Sequence, residues 1–290
     1  MDLNKPIITR LRKVDNKTNR QQIKHIDSIY ILNLDKRSDR LSRCMNQFAR
    51  YGVQPYRVSA IHGWDLTQEE FNDVGVKVQL SMSFDRPVFF GPRARFDPGE
   101  YITPSVVGKT CVHYTTPAGQ IGCSMSHLSG LLDAYLAGYE TIWQLEDDFT
   151  IKDPPELLGE YIEKLDTLVG PSEWDLFYTD NDDHFVAPTV REVMGGGNLG
   201  RPGIPLSNAL VEYRAIGSDF KKIGGRTQAH SVIYRRNGIK KILDFITTNG
   251  IFRPYDIDLP FVPNLKMYNL VKDVVHGRDR TDSDGYYKKP

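Results

Sequence analysis

Three consecutive carboxylates, Glu146-Asp147-Asp148, directly follow an apolar segment that reads Thr-Ile-Trp-Gln-Leu. Adjacent carboxylates repel one another, and this repulsion raises their pKa values unless a cation relieves it. Oxygen ligands of this kind suit hard divalent cations such as Mg²⁺ and Mn²⁺. In open α/β sheets, ligands gather beyond the carboxyl ends of the strands. The pattern therefore predicts a cation site, with an ordinary solvated acidic turn as the alternative.

Other polar residues follow predicted strands in the same way. Asn33 lies at the end of the apolar segment 28–34, Arg37 comes just after it, and Arg40 follows three residues later. Guanidinium groups suit phosphate oxygens because their donors form a planar fork, although an exposed helix face is the simpler interpretation. His276 could complete an oxygen-rich metal shell, although a lone histidine is more often structural. A cation beside basic groups indicates a nucleotide or pyrophosphate substrate.

The hydrophobic pattern predicts the elements that position these residues. Segment 28–34 is typical of a buried strand, the segment from 38 to 51 of an amphipathic helix, and segment 56–61 of a second strand. Strands are also predicted at 141–145, 174–178 and 229–234, and helices at 122–137, 155–169 and 237–248. This βαβ order indicates an α/β fold with a mainly parallel central sheet flanked by helices. No GxxxxGK[ST] loop and no GxGxxG after a strand is present, which disfavours P-loop NTPases and Rossmann dehydrogenases.

The chain of 290 residues is predicted to form one domain over 26–278, with a long irregular insertion at 80–118 as a wall or lid. A basic, flexible arm at 1–25 precedes it, and a polar tail at 279–290 follows it. The arm could contact an anionic membrane peripherally.

Composition limits the classes of protein. The 37 basic and 37 acidic side chains balance, so no nucleic-acid partner is expected. The balance is uneven locally, since residues 144–183 hold thirteen acidic side chains and two basic ones. The three cysteines form no CxxC pair, which indicates reduced thiols. Without an apolar leader or a membrane-length apolar run, the expected location is the cytoplasm, including the inner face of the membrane.

Several short blocks also occur in a characteristic order. They read Ile31-Leu32-Asn33-Leu34-Asp35-Lys36-Arg37-Ser38-Asp39-Arg40, Ser59-Ala60-Ile61-His62-Gly63, Gly119-Gln120-Ile121-Gly122-Cys123-Ser124-Met125-Ser126-His127, Gln144-Leu145-Glu146-Asp147-Asp148, Ala229-His230-Ser231-Val232-Ile233-Tyr234 and Arg253-Pro254-Tyr255-Asp256. This order resembles the family 25 glycosyltransferases, which include bacterial lipooligosaccharide β-galactosyltransferases and collagen galactosyltransferases. The chain departs from the family at the 80–118 insertion, at the glycine-rich segment 195–197, and at His230, where an aromatic residue is usual.

The resemblance implies a single GT-A-type α/β domain that binds Mn²⁺ or Mg²⁺ and a UDP-sugar donor. Under this implication Asp148 is the main metal ligand, and His276 is the third protein ligand. Glu146 binds the metal or the ribose, and Asp147 binds the sugar or metal-bound waters. The remaining nucleotide pocket would consist of Asn33, Arg37, Arg40 and Ser126.

The resemblance further implies transfer of a hexose, with galactose as first choice, to a hydroxyl of a glycan, a lipooligosaccharide or a protein. Most family members invert the anomeric centre, which requires a carboxylate base for the acceptor hydroxyl. Asp256 is the first choice for this base, and the alternatives are Asp258, Asp180 and Asp182. Two other function classes stay open: a nucleotidyltransferase or sugar-nucleotide hydrolase, and a non-catalytic binding module with the transferase fold.

Overall fold

An eight-stranded sheet forms the centre of the computed structural model, which describes residues 2–14, 17, 23–80, 82, 88–92, 106–181, 201–204, 212–277 and 284. Its thirteen described strands are β1 (Ser28–Asn33), β2 (Tyr56–Ser59), β3 (Val76–Lys77), β4 (Val88–Phe89), β5 (Thr110–His113), β6 (Thr141–Glu146), β7 (Phe149–Ile151), β8 (Leu176–Tyr178), β9 (Tyr213–Ile216), β10 (Phe220–Ile223), β11 (Ser231–Arg235), β12 (Met267–Leu270) and β13 (Val275–Gly277). The described helices are α1 (Pro6–Thr9), α2 (Ser38–Ala49), α3 (Gln68–Val74), α4 (Ala118–Ala137), α5 (Leu157–Val169), α6 (Arg236–Asn249) and α7 (Tyr255–Asp258).

The central sheet is mixed, with the strand order β2-β1-β6-β11-β8-β12-β10-β9. Strand β1 pairs in parallel with both β2 and β6, and β8 pairs in parallel with β12. The other four pairings are antiparallel, and β11 lies between β6 and β8 with the opposite direction to both. The α/β class is therefore confirmed, whereas the expected mainly parallel sheet is mixed, with parallel pairing among β2, β1 and β6 and between β8 and β12. The βαβ rhythm covers only the first two strands, so it does not determine the direction of β11.

Strands β1 and β6 are buried on both faces. Ile29 and Ile31 pack into the core on one side of the sheet, while Tyr30 and Leu32 pack on the other. This double burial explains why β1 is an unbroken apolar run without polar alternation. The parallel register places Leu32 beside Glu146, so the residues after both strands meet at one edge.

Helix α4 packs unusually close to its neighbours because of its glycines. A Cβ atom built on Gly122 would lie 2.4 Å from the Gly63 nitrogen and 2.5 Å from the Ile61 oxygen. A Cβ atom on Gly130 would lie 2.1 Å from Oε1 of Gln144 in β6. The two glycines therefore allow α4 to approach both the loop after β2 and strand β6, and α4 consequently lines the site described below.

The N-terminal arm, which its basic composition predicts to be flexible or loosely docked, contacts the domain through its described residues. Within the described residues, Ile7 and Val14 are buried in the main core, and the Arg12 backbone N–H donates to the Ser129 hydroxyl. Arg10 forms ion pairs with Glu69 and Asp73. The two apolar side chains, which the charge count ignores, dock the arm on α3 and α4.

Two strands of the predicted insertion, β4 and β5, form a small sheet with β3, which precedes the insertion, in the order β3-β5-β4. The described parts of 80–118 therefore have regular structure, whereas residues 81, 83–87 and 93–105 lie outside the described residues. The glycine-rich segment 195–197 lies outside them as well, as does the tail 279–290 except for Asp284. Among the helices that the structure describes, none has the length and apolar character to cross a membrane.

We predict that Gly122→Ala lowers the free energy of unfolding by about 1–3 kcal/mol, because the new methyl group clashes with backbone atoms that can move only at an energetic cost. Urea denaturation measures the change. Leu136→Ala is the control on the same helix, since Leu136 is 59% exposed, and it should have little effect. Equal stability of Gly122→Ala and the wild type would show that α4 does not need this close approach.

Candidate active site

The three carboxylates after β6 lie in three different environments. Asp147 accepts hydrogen bonds from Nδ2 of Asn33 at 2.7 Å and from Arg40 at 2.9 Å. Burial raises the pKa of Asp147, and the contacts with Arg40 and Asn33 oppose that rise. Both of its oxygens are thus used inside the protein, and Arg40 is buried in the ion pair. Asn33, Arg40 and Asp147 therefore fasten the acidic loop to the end of β1.

Asp148 lacks such compensation. Its Oδ1 atom is buried and has no hydrogen-bond partner among the residues that the structure describes. Burial, together with the charges of Glu146 and Asp147, raises the pKa of Asp148 to about 7. A buried anionic oxygen without a donor is costly unless a cation binds it. The chemistry of this oxygen therefore fits a hard divalent cation.

Glu146 is held from the opposite side by a histidine of α4. Its Oε1 lies 3.0 Å from Nε2 of the buried His127, and Nδ1 of His127 lies 3.0 Å from the Gln144 amide nitrogen. The His127 ring stacks on Tyr255, with ring centroids 4.2 Å apart and planes 10° from parallel. The imidazole is therefore fixed in position and orientation, and it fixes one oxygen of Glu146.

Cys123 lies one helical turn before His127 on the same face of α4. The sulfur of Cys123, a ring nitrogen of His127 and an oxygen of Glu146 all lie within 4.8 Å of one another. Burial raises the pKa of the Cys123 thiol well above its usual range, and the carboxylate of Glu146 adds to the rise.

A basic cluster lies beyond β1, next to the acidic loop. Arg37 donates to Oδ2 of Asp284 at 2.5 Å, and Nζ of Lys36 lies 3.5 Å from the other oxygen of that carboxylate. The Trp64 indole N–H donates to the Asp284 backbone oxygen at 3.2 Å. The cluster thus already accepts an anionic group from the C-terminal tail.

The two carboxylates of α7 differ in their partners. Asp256 accepts only from the backbone N–H groups of Gln228 and Ile257 among its described hydrogen bonds. Burial raises its pKa, and the charge of nearby Glu146 raises it further. Asp258 is instead buried in an ion pair with Arg201 at 2.5 Å. Its Oδ2 atom also accepts from two backbone N–H groups, while its Oδ1 atom is buried without a hydrogen-bond partner among the described residues.

Asp180, after β8, belongs to a separate buried network. It pairs with Arg226 at 2.5 Å, and Nε2 of His230 lies 2.5 Å from its other oxygen. Burial alone would raise the pKa of Asp180, but the charges of Arg226 and His230 hold this pKa well below its usual range. A carboxylate held this firmly in its ionised form is a weak base. Asp182 lies outside the described residues.

The two remaining predicted site residues have different surroundings. Ser126 is buried in α4, where its hydroxyl donates to the Gly122 oxygen and accepts from the Ile61 N–H. It therefore holds the helix to the loop after β2, which does not favour contact with a nucleotide. His276 lies on β13 opposite Thr150 of β7, and Thr150 comes two residues after Asp148 in the chain. Nδ1 of His276 is 3.2 Å from a carboxylate oxygen of Asp273. The β7–β13 pairing thus places His276 opposite the segment that follows the acidic loop.

Several residues that shape this site were not among the predicted ones. They are Arg57, which donates to Oδ1 of Asn33, and the set Cys123, His127, Gln144, Arg226 and His230. One signal was available, because cysteine and histidine four residues apart on a helix share a face. The partners of the others are distant in sequence and follow no spacing rule.

Comparison with known proteins identifies the family of this chain. The family described as "Glycosyltransferase family 25 (LPS biosynthesis protein)" matches residues 26–188, more than half of the chain. The chain belongs to glycosyltransferase family 25.

A relative from Aedes aegypti, named "Glycosyltransferase 25 family member", is 25% identical over 179 residues. The match covers 59% of this chain and 25% of that relative, so the chain spans about a quarter of its length. The family match includes both β1 and β6.

The raised pKa of Asp148 predicts a pH-dependent stability in metal-free protein. The unfolded carboxyl loses its proton near pH 4 and the folded one near pH 7, so the folded state holds the extra proton in between. Raising the pH through this window therefore destabilises the wild type. Asp148→Asn should be the more stable protein at pH 8, with an advantage that grows between about pH 4 and 7 and then levels off.

Thermal melting in the presence of a chelator across this pH range measures the effect. Glu160→Gln, an exposed change on α5, is the control and should show no such trend. A difference between Asp148→Asn and the wild type that does not vary with pH would contradict the account of Asp148.

Proposed function

We propose that this family 25 glycosyltransferase transfers a hexose, galactose as first choice, from a UDP-sugar to a hydroxyl of a glycan or protein in a reaction that depends on Mn²⁺. The observation that carries the proposal is the buried Oδ1 atom of Asp148, which has no partner among the described residues. Its place at the carboxyl end of β6, in a GT-A-type arrangement, is where α/β sheets bind their ligands.

The cation would be held by Asp148, with Glu146 and His276 as further ligands. Asp147 is committed to Asn33 and Arg40, so it supports the loop instead of binding the ion. A bound Mn²⁺ or Mg²⁺ neutralises the diphosphate of the nucleotide as it becomes the leaving group. Manganese tolerates the mixed oxygen and imidazole set better than magnesium does.

The nucleotide diphosphate is proposed to lie between the acidic loop and the basic cluster of Lys36 and Arg37. The carboxylate of Asp284 now pairs with both side chains, which shows that the cluster accepts an oxyanion. Guanidinium donors match phosphate oxygens in the same way as carboxylate oxygens. The Trp64 indole beside them offers an aromatic face at the edge of the pocket.

Asp256 is proposed as the base that removes the proton of the acceptor hydroxyl. Among the described carboxylates considered for this role, Asp258 is paired with Arg201 and Asp180 with Arg226, whereas Asp256 has no side-chain cation. Its raised pKa strengthens it as a base. As Asp256 takes the proton, the hydroxyl oxygen bonds to the anomeric carbon and the bond to UDP breaks, which inverts that carbon.

The central test is release of UDP from UDP-galactose in the presence of Mn²⁺ and an acceptor panel of glycans and hydroxylated peptides. Asp148→Asn should reduce the rate roughly 10²- to 10³-fold, because transition-state charge loses its stabilisation. A chelator should abolish the activity of the wild type, and Glu160→Gln should behave as the wild type. Full activity in Asp148→Asn with chelator present would refute the metal dependence. Pyrophosphate or UMP in place of UDP would indicate a nucleotidyltransferase or a hydrolase.

Asp256→Asn should lower kcat roughly 10²- to 10⁴-fold while leaving the affinity for UDP within a few-fold, because only proton transfer is removed. Steady-state kinetics and calorimetry with UDP separate the two quantities. Asp244→Asn, on the surface of α6, serves as the control. An unchanged kcat in Asp256→Asn would assign the base to another residue.

A further inference from the structure

We propose that Cys123, His127 and Glu146 form a second metal site, for a borderline or soft divalent cation such as Zn²⁺. The three ligand atoms lie within 4.8 Å of one another. In tetrahedral zinc sites, neighbouring ligand atoms are roughly 3.4–3.6 Å apart, given the usual Zn–S and Zn–N distances. The distances between the ligand atoms therefore need to shorten by about 1 Å to form the site, and χ rotations of Cys123 and Glu146 can supply this change.

The elements that carry the ligands favour chelation. Cys123 and His127 are four residues apart on α4, so both side chains leave the same face of one rigid helix. Glu146 comes from the end of β6, and its side chain is 31% exposed, which leaves a path from solvent. Three protein ligands leave a fourth position of the cation open to water.

The surroundings of His127 already resemble those of a metal-bound imidazole. Tyr255 stacks on the ring, and the Gln144 amide lies 3.0 Å from Nδ1. The Gln144 Oε1 atom is buried without a partner among the described residues, so a half-turn of the amide would direct it at an Nδ1–H. That hydrogen bond is the usual outer contact of a ligating histidine, and it leaves Nε2 free for the metal.

The chemistry of the donors separates this site from the acidic loop. A thiolate and an imidazole select Zn²⁺ over Mg²⁺ and Mn²⁺, whereas the oxygens around Asp148 suit the harder ions. On binding, the metal replaces the thiol proton of Cys123, which leaves to solvent, while the single ring proton of neutral His127 shifts from Nε2 to Nδ1, where the turned Gln144 amide accepts it. Glu146 belongs to both sites, so its carboxylate serves one cation at the expense of the other.

Because both sites share Glu146, Zn²⁺ inhibits the Mn²⁺-dependent transfer, a consequence that rests on the proposed function. Zinc in the second site draws Glu146 away from Asp148 and places a positive charge beside Asp256. The inhibition should compete with Mn²⁺, and Cys123→Ser should raise the inhibitory Zn²⁺ concentration roughly tenfold or more relative to the activity of that variant without zinc.

Cobalt binding tests the site without any need for activity. Titration of the full chain with Co²⁺ should produce the intense near-ultraviolet band of a thiolate–cobalt bond. The band should persist in Cys111→Ala, which removes a buried thiol outside the site, and disappear in Cys123→Ser. Absence of the band from the wild type, or its persistence in Cys123→Ser, would overturn the proposal.

Alkylation of the wild type gives a second test that does not depend on the folding of a variant. Zn²⁺ should protect Cys123 from iodoacetamide, as read by peptide mass spectrometry, while the modification of Cys44 and Cys111 stays as it was. Unchanged alkylation of Cys123 at saturating Zn²⁺ would refute the site. A cobalt band and zinc protection in a protein that releases no UDP would leave the site standing and refute the proposed function.

Discussion

Electrostatic repulsion among Glu146, Asp147 and Asp148 is the constraint around which the active-site edge is organised. Two of the three carboxylates receive partners from the protein: Asp147 from the end of β1, and Glu146 from His127 of α4. Asp148 receives none at its Oδ1 atom. The fold thus concentrates the unresolved charge on a single buried oxygen, which is the condition under which a protein gains most from binding a cation.

The same arrangement explains why the packing around the site is tight. Gly122 and Gly130 let α4 approach the loop after β2 and strand β6, and this approach carries Cys123 and His127 to Glu146. The antiparallel strand β11 pairs with β6 on the edge opposite β1, and His230, just before β11, lies next to Asp180. Charged side chains near the site are therefore oriented by buried contacts, which pre-organises them for electrostatic catalysis.

Part of this architecture could be predicted from the sequence. The apolar run of β1, the amphipathic helix after it and the acidic triplet after β6 have strong local patterns, and parallel neighbours bring their carboxyl ends together. The meeting of Asn33 with the acidic loop follows from those patterns, although its partner there, Asp147, was expected to face the substrate. Local patterns therefore predicted that the residues after β1 and β6 meet at one edge of the sheet.

The rest depends on contacts between residues that are far apart in the chain. Arg201 could pair with many carboxylates, and no spacing rule identifies Asp258 as its partner. The direction of β11 depends on a long connection after β8, where the hydrophobic period is weak. The docking of the N-terminal arm depends on two apolar side chains among many charges. Tertiary packing decided each of these, which single-sequence patterns do not encode.

Calorimetric titration of metal-free protein with Mn²⁺ measures cation binding at Asp148 without requiring an acceptor. We expect the wild type and Glu160→Gln to bind Mn²⁺, more tightly when UDP is present, and Asp148→Asn to lose that binding. Equal Mn²⁺ affinity in the wild type and Asp148→Asn would contradict this expectation.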